Sequence, residues 1–143
     1  MNTFPNSGKA ISWSLVNANA SRLYTVNSIS GSISIYDITT ARTPMEMHSI
    51  TLKLAMAGPP FIDANGMTQT VTSQPFQFAF DKDQTHLYVV SQRATTNAND
   101  LAGNYLHTLL IDSDGDLSER GEPIDLAGAG VPALARPQGI VVY

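Results

Sequence analysis

A chain of 143 residues with 43% apolar content is long enough for one domain with a packed core, which excludes global disorder. Its net charge of −4, from 8 basic and 12 acidic residues, comes without any basic block, so the cationic stripe that nucleic-acid binding requires is missing. With no cysteine, disulfides, a thiol nucleophile and thiolate metal ligands are excluded as well. No apolar run reaches the roughly 18 residues of a membrane span. The opening Met1-Asn2-Thr3-Phe4-Pro5-Asn6-Ser7-Gly8-Lys9 lacks the apolar core of a signal peptide, so the chain as given is expected to stay soluble in the cytoplasm.

Residues 1–10 are polar, carry Pro5 and Gly8, and read as a loose arm. Ile11 to Val16 reads as a strand anchored by Trp13, and 17–21 as a short turn. Arg22–Asn27 and Ser32–Ile38 are β-branched and aromatic runs around a Ser/Gly turn, a hairpin pattern. After a turn at Thr39–Pro44, Glu46–Leu54 reads as an outer strand. Four antiparallel strands with tight connections make one propeller-like blade over residues 11–54.

Residues 55–74 hold Gly58-Pro59-Pro60 and Asp63-Ala64-Asn65-Gly66, turn chemistry without periodicity, and read as a long crossover. A second blade spans 75–126. Its strands are Phe76–Phe80, His86–Ser91 and Tyr105–Ile111, with a short fourth inside Leu117–Leu126. Gln92–Gly103 is a long connection, and Asp112-Ser113-Asp114-Gly115-Asp116 is a hairpin turn with Gly where positive φ is needed.

The pattern repeats. Leu87-Tyr88-Val89-Val90 follows Leu23-Tyr24-Thr25-Val26 by 64 residues. Arg136-Pro137-Gln138-Gly139-Ile140-Val141-Val142 follows Gln74-Pro75-Phe76-Gln77-Phe78-Ala79-Phe80 by 62, so 137–142 is the first strand of a third unit. A fixed period in this range with strands inside each unit marks a repeat architecture. The fold class expected is all-β: a β-propeller fragment of about two four-stranded antiparallel blades plus the first strand of a third.

These units resemble the repeats of the YVTN and lactonase-type (6-phosphogluconolactonase-like) seven-bladed β-propellers. The resemblance is carried by Leu23-Tyr24-Thr25-Val26-Asn27-Ser28, by Gly31-Ser32-Ile33-Ser34-Ile35-Tyr36, by Pro75 with His86-Leu87-Tyr88-Val89-Val90, and by Asp112-Ser113-Asp114-Gly115-Asp116-Leu117. Arg136-Pro137-Gln138-Gly139-Ile140 looks like the closing strand of such a ring. The chain is several times shorter than those propellers and looks like a C-terminal part of one.

Loop length is the main clue to a site, because binding groups concentrate on long loops over rigid scaffolds. The long connections, 55–74, 92–103 and 127–135, share one face of a blade pair, and the short turns share the other. The polar candidates on the long-loop face are Asp63, Asn65, Arg93, Asn97, Asn99, Asp100, Asn104 and Arg136. The plainer reading is that they are solvated loop residues. Asp112, Asp114 and Asp116 do not form a calcium loop, since counting from Asp112 places Gly115 fourth and Pro123 twelfth where an EF-hand needs Gly sixth and Glu twelfth. His48, His86 and His107 lie on three separate strands without local ligand spacing, so no metal site or cofactor is expected. His107, just after the long connection, is the one kept as an acid/base candidate.

Two function classes follow. The first is a non-catalytic binding or scaffold module with any small-molecule site on the long-loop face, since fold alone does not dictate chemistry. The second, implied only by the resemblance, is a lactone hydrolase, with His107 or Asp63 as general base and Arg93 or Arg136 assisting the developing oxyanion. Two isolated blades would also leave outer faces carrying Trp13, Ile33, Phe78 and Leu109 uncovered, and an unpaired edge at Gln138–Val142. Self-association through blade faces and the C-terminal strand is therefore expected.

Overall fold

A computed structural model describes residues 3–40, 43–54, 57–62, 66, 68–71, 73–94 and 103–143. No helix occurs among them. The first sheet contains β1 (Ile11–Val16), β2 (Arg22–Asn27), β3 (Ser32–Asp37) and β4 (Met45–Thr51), paired antiparallel in that order. A two-stranded ribbon, β5 (Ala57–Ile62) with β6 (Thr68–Val71), follows. The second sheet contains β7 (Ser73–Phe80), β8 (His86–Arg93), β9 (Tyr105–Ile111), β10 (Leu117–Glu119) and β11 (Ile124–Asp125). Both β10 and β11 pair with β9, because Arg120-Gly121-Glu122-Pro123 breaks the outer strand into two pieces. The chain is thus an all-β fragment of two antiparallel blades.

The blades share one register. Leu15 faces Tyr24 and Val16 faces Leu23 in blade 1; Ala79 faces Tyr88 and Phe80 faces Leu87 in blade 2. The turns between first and second strands repeat in detail. Asn17 Oδ1 accepts the N–H groups of Ser21 and Arg22 at 2.9 Å each, and Asp81 Oδ1 those of Thr85 and His86 at 2.8 and 3.0 Å. Ala20 and Gln84 both take φ of 54°, a left-handed conformation uncommon for residues with a Cβ.

Alternation along a strand gives each blade a leucine face, carrying Leu23 or Leu87, and a tyrosine face, carrying Tyr24 or Tyr88. The tyrosine face of blade 1 packs on the leucine face of blade 2. Tyr24, Val26, Ile33 and Ile35 meet Phe78, Leu87, Val89, Leu109 and Leu117 there, all buried. Tyr24 and Phe80 meet edge-on with centroids 5.6 Å apart. Burying side chains of this size contributes about 1.5–3 kcal/mol each and supplies the core.

Four expectations need correction. Ile33, Phe78 and Leu109 are not on uncovered faces but in this inter-blade core, whereas Trp13, 39% exposed, is uncovered as expected. The crossover 55–74 is not irregular throughout but contains the β5–β6 ribbon, whose register shifts between Ala57 and Phe61, the stretch that holds Pro59 and Pro60. The arm is not loose. Asn6 Nδ2 donates to Asn27 Oδ1 at 3.0 Å, Tyr36 Oη donates to Pro5 O at 2.9 Å, and Gly8 lies so close to Asn27 that no side chain would fit. The arm therefore lies on the leucine face of blade 1. Finally, 137–142 forms no strand. The segment meets the tyrosine face of blade 2, with Ile140 N–H on Gln77 Oε1 at 3.2 Å, but it has no ladder partner among the described residues.

Candidate functional site

A linked set of buried polar residues lies where β8, β9 and β10 face blade 1. Ser91 and His107 share the leucine face of blade 2 with Leu87 and Leu109. Ser91 Oγ lies 2.8 Å from His107 Nε2, and His107 Nδ1 lies 2.6 Å from Glu119 Oε1. The second oxygen of Glu119 accepts the Lys53 backbone N–H at 2.6 Å, a bond from the exit of blade 1. Ser91 is 1% exposed, His107 0%, and the Glu119 side chain 5%.

A hydroxyl, an imidazole and a carboxylate in this order have the connectivity of a nucleophilic relay. Two observations argue for a structural latch instead. Ser91 Oγ is sealed between the blades, so no carbonyl carbon can approach it. The same constellation also recurs in blade 1 without a histidine. There Asn27 Nδ2 donates to Ser34 Oγ at 2.9 Å, Ser34 hydrogen-bonds Glu46, and Glu46 Oε2 accepts the Ser7 N–H at 2.8 Å. Ser34 and Glu46 stand opposite the register positions of His107 and Glu119, 73 residues later, as Tyr36 does for Leu109. Burial works against ionisation of Glu46, but the hydrogen bonds from Ser7 and Ser34 win and hold its carboxyl below the usual range. Each blade thus ties a carboxylate on its outer strand, through its third and second strands, to a backbone N–H arriving on its leucine face.

Arg93 extends β8 beyond the boundary expected from sequence and is 3% exposed. Its N–H donates to Asn104 Oδ1 at 2.9 Å, and Asn104 Nδ2 donates to the carbonyls of Ala133 and Ala135 at 3.1 and 2.8 Å. Asn104 therefore ties the end of β8 to the backbone just before Arg136, whose side chain is exposed. Arg93 and His107 lie on the same face of blade 2. Asp63, Asn65, Asn97, Asn99 and Asp100 lie outside the described residues. Sequence reasoning missed Ser91 and Glu119; the alignment of Glu119 with Glu46 at the outer strands was the signal available.

A cavity of about 460 Å³ lies at the opposite, short-turn end. Asn17, Arg22, Gln84, Asp112 and Asp114 line it, and most of their polar atoms are committed to turns. Gln84 Oε1 accepts the Ala18 N–H at 2.8 Å, Arg22 Nε donates to Asp114 O at 3.0 Å, and Asp112 Oδ1 accepts two backbone N–H groups at 2.9 Å. Beneath it Tyr24 Oη donates to Gly115 O at 2.8 Å, and burial pushes the phenol up to about 12. These bonds fasten the blades together at that end. Among the described residues no group of three or more His, Cys, Asp or Glu could hold a metal ion.

No protein-family profile and no curated protein matches this sequence. Among solved structures the chain is similar to the periplasmic gluconolactonase of Pseudomonas aeruginosa, with a TM-score of 0.56 at 15% identity, over 80% of this chain and 26% of that one. It is also similar to a putative 6-phosphogluconolactonase from Bacteroides fragilis, with a TM-score of 0.53 at 16% identity, over 80% and 26%. The likeness is one of fold. The two blades have the fold of part of these propellers, and the chain spans about a quarter of the length of these two proteins.

Proposed function

We propose that this chain is a YVTN-type propeller segment that serves as a binding or scaffold module and has no hydrolase activity of its own. The observation that supports this reading is the state of His107. Both ring nitrogens are engaged, the ring is fully buried, and the arrangement has a counterpart in blade 1 that contains no histidine. A general base must reach the water it activates, and this one does not. Incubating the purified chain with glucono-δ-lactone and with its 6-phosphate ester at pH 6.5 tests the reading. Ring opening at the buffer rate is expected; faster opening that disappears in His107→Gln overturns it.

The fold likeness to two proteins described as lactonases favours a second reading, in which hydrolysis appears only when further blades complete the ring. In that form His107 or Asp63 supplies the base, and Arg93 or Arg136 the positive charge for the oxyanion. Arg93 already sits at the long-connection end of β8, next to the Asn104 bridge to Ala135. Turnover by a ring built around this segment, abolished by Arg93→Ala or Arg136→Ala, would support this second reading over the first.

A further inference from the structure

The leucine face of blade 1 and the tyrosine face of blade 2 are two halves of one interface, and we propose that they dock head to tail between copies of this chain. The inference goes beyond the functional reading above and depends only on blade register. Three observations carry it. First, Ser7 in the arm stands where Lys53 stands one blade later: each donates its backbone N–H to the outer-strand carboxylate, Ser7 to Glu46 at 2.8 Å and Lys53 to Glu119 at 2.6 Å. The arm thus occupies a seat that, in the next blade, is filled by the exit of the preceding one.

Second, the exit of blade 2 is built like that of blade 1. Leu52 N–H bonds Gly31 O at 2.9 Å, and Leu126 N–H bonds Asn104 O at 3.0 Å; Gly31 and Asn104 each immediately precede a third strand. The residue after Leu126 is Ala127, the counterpart of Lys53. Its N–H has no carboxylate on a following blade and bonds Asp125 Oδ1 of its own segment at 2.9 Å. Third, the tyrosine face that blade 1 buries completely is only partly covered in blade 2, where Tyr88, Leu106 and Leu110 are half-buried. The tail meets this face at Gln77, whose Oε1 accepts the Ile140 N–H.

A second copy fits both halves by continuing the interface already present between the blades. Its Glu46 accepts the Ala127 N–H of the first copy in place of its own Ser7, and its Leu23 face covers Tyr88, Leu106 and Leu110. The contact is heterologous, so it builds open chains or a closed ring. The arm of one copy and the 137–142 segment of the other occupy the two halves as intramolecular competitors, which lowers the apparent affinity without abolishing it.

The absence of native cysteine makes the test direct. Ser49 is exposed beside Ser34 on the leucine face of blade 1 and leaves Glu46 intact. Ser49→Cys and Ala127→Cys chains, purified separately, are mixed at 100 µM under mild oxidant. The expected product is the mixed disulfide, about fivefold or more above either symmetric one. Deleting residues 3–9 should tighten association about tenfold in sedimentation, because one competitor is removed. Symmetric Ser49→Cys dimers in equal or greater yield overturn the proposal in favour of face-to-face pairing. No disulfide above that of denatured chains overturns self-docking altogether. The trapping experiment uses the full chain and so decides even where the shortened one fails to fold.

Discussion

Tyr24 and Tyr88 each follow a leucine and hold the same place in register, yet one is fully buried and the other half-exposed. Leu23 and Leu87 show the reverse: Leu23 is half-buried and Leu87 is 0% exposed. A blade has no inside of its own. It has two faces, each of which becomes core only when another blade lies on it, so the same residue type at equivalent register acquires opposite burial from its position in the stack. The facing residues follow suit. Where blade 2 presents Phe78 and Val89 to its neighbour, blade 1 carries Ser14 and Thr25, and Ser14 is exposed.

The comparison breaks most visibly at the paired leucines. Leu87→Ala removes a side chain from the inter-blade core and should cost about 2–5 kcal/mol in urea unfolding, while Leu23→Ala should cost about 1. Equal losses would mean the blades are buried alike. Next come the two carboxylate relays. Glu119→Ala leaves buried His107 and the Lys53 N–H without their acceptor and should cost about 3 kcal/mol, against about 1 for Glu46→Ala on the open face. The same denaturation series reads both.

A smaller effect is expected at the turn joining β9 to β10. Gly115 has φ of 85°, and a methyl there would come within 2.7 Å of Arg22 Cγ. Gly115→Ala should cost about 1–2 kcal/mol.

The smallest effect compares the two equivalent turns, one closed by Asn17 and one by Asp81. Burial opposes ionisation of Asp81, but hydrogen bonds from His86 and Thr85 prevail and hold its carboxyl at about 2, below the unfolded value of 3.8. A depressed folded value stabilises the native state above about pH 4, and that contribution is lost as pH falls from about 4 toward 2. Asp81→Asn gives blade 2 the turn residue of blade 1. Stability at pH 7 should change by about 0.5 kcal/mol or less, and the acid limb of a pH–stability curve should flatten. An unchanged acid limb would show that other carboxylates carry it.

What the sequence determined by itself is what local chemistry encodes. Alternating β-branched and aromatic residues placed β1, β2, β3, β8 and β9 to within about two residues, and the 64-residue echo of Leu23-Tyr24 disclosed the repeat. Only the tertiary structure decided which face of each blade is core, because that depends on a neighbour distant in sequence. It decided that a polar arm is held down, through side-chain bonds to Asn27, Tyr36 and Glu46 that no periodicity reveals. It left 137–142 without a strand, since a strand exists only beside a partner, however well its residues match Pro75–Phe80. His107 was legible as a singular histidine after a long connection. That it is locked between Ser91 and Glu119 was not legible, because three separate strands and the exit of the other blade meet there only in the folded chain.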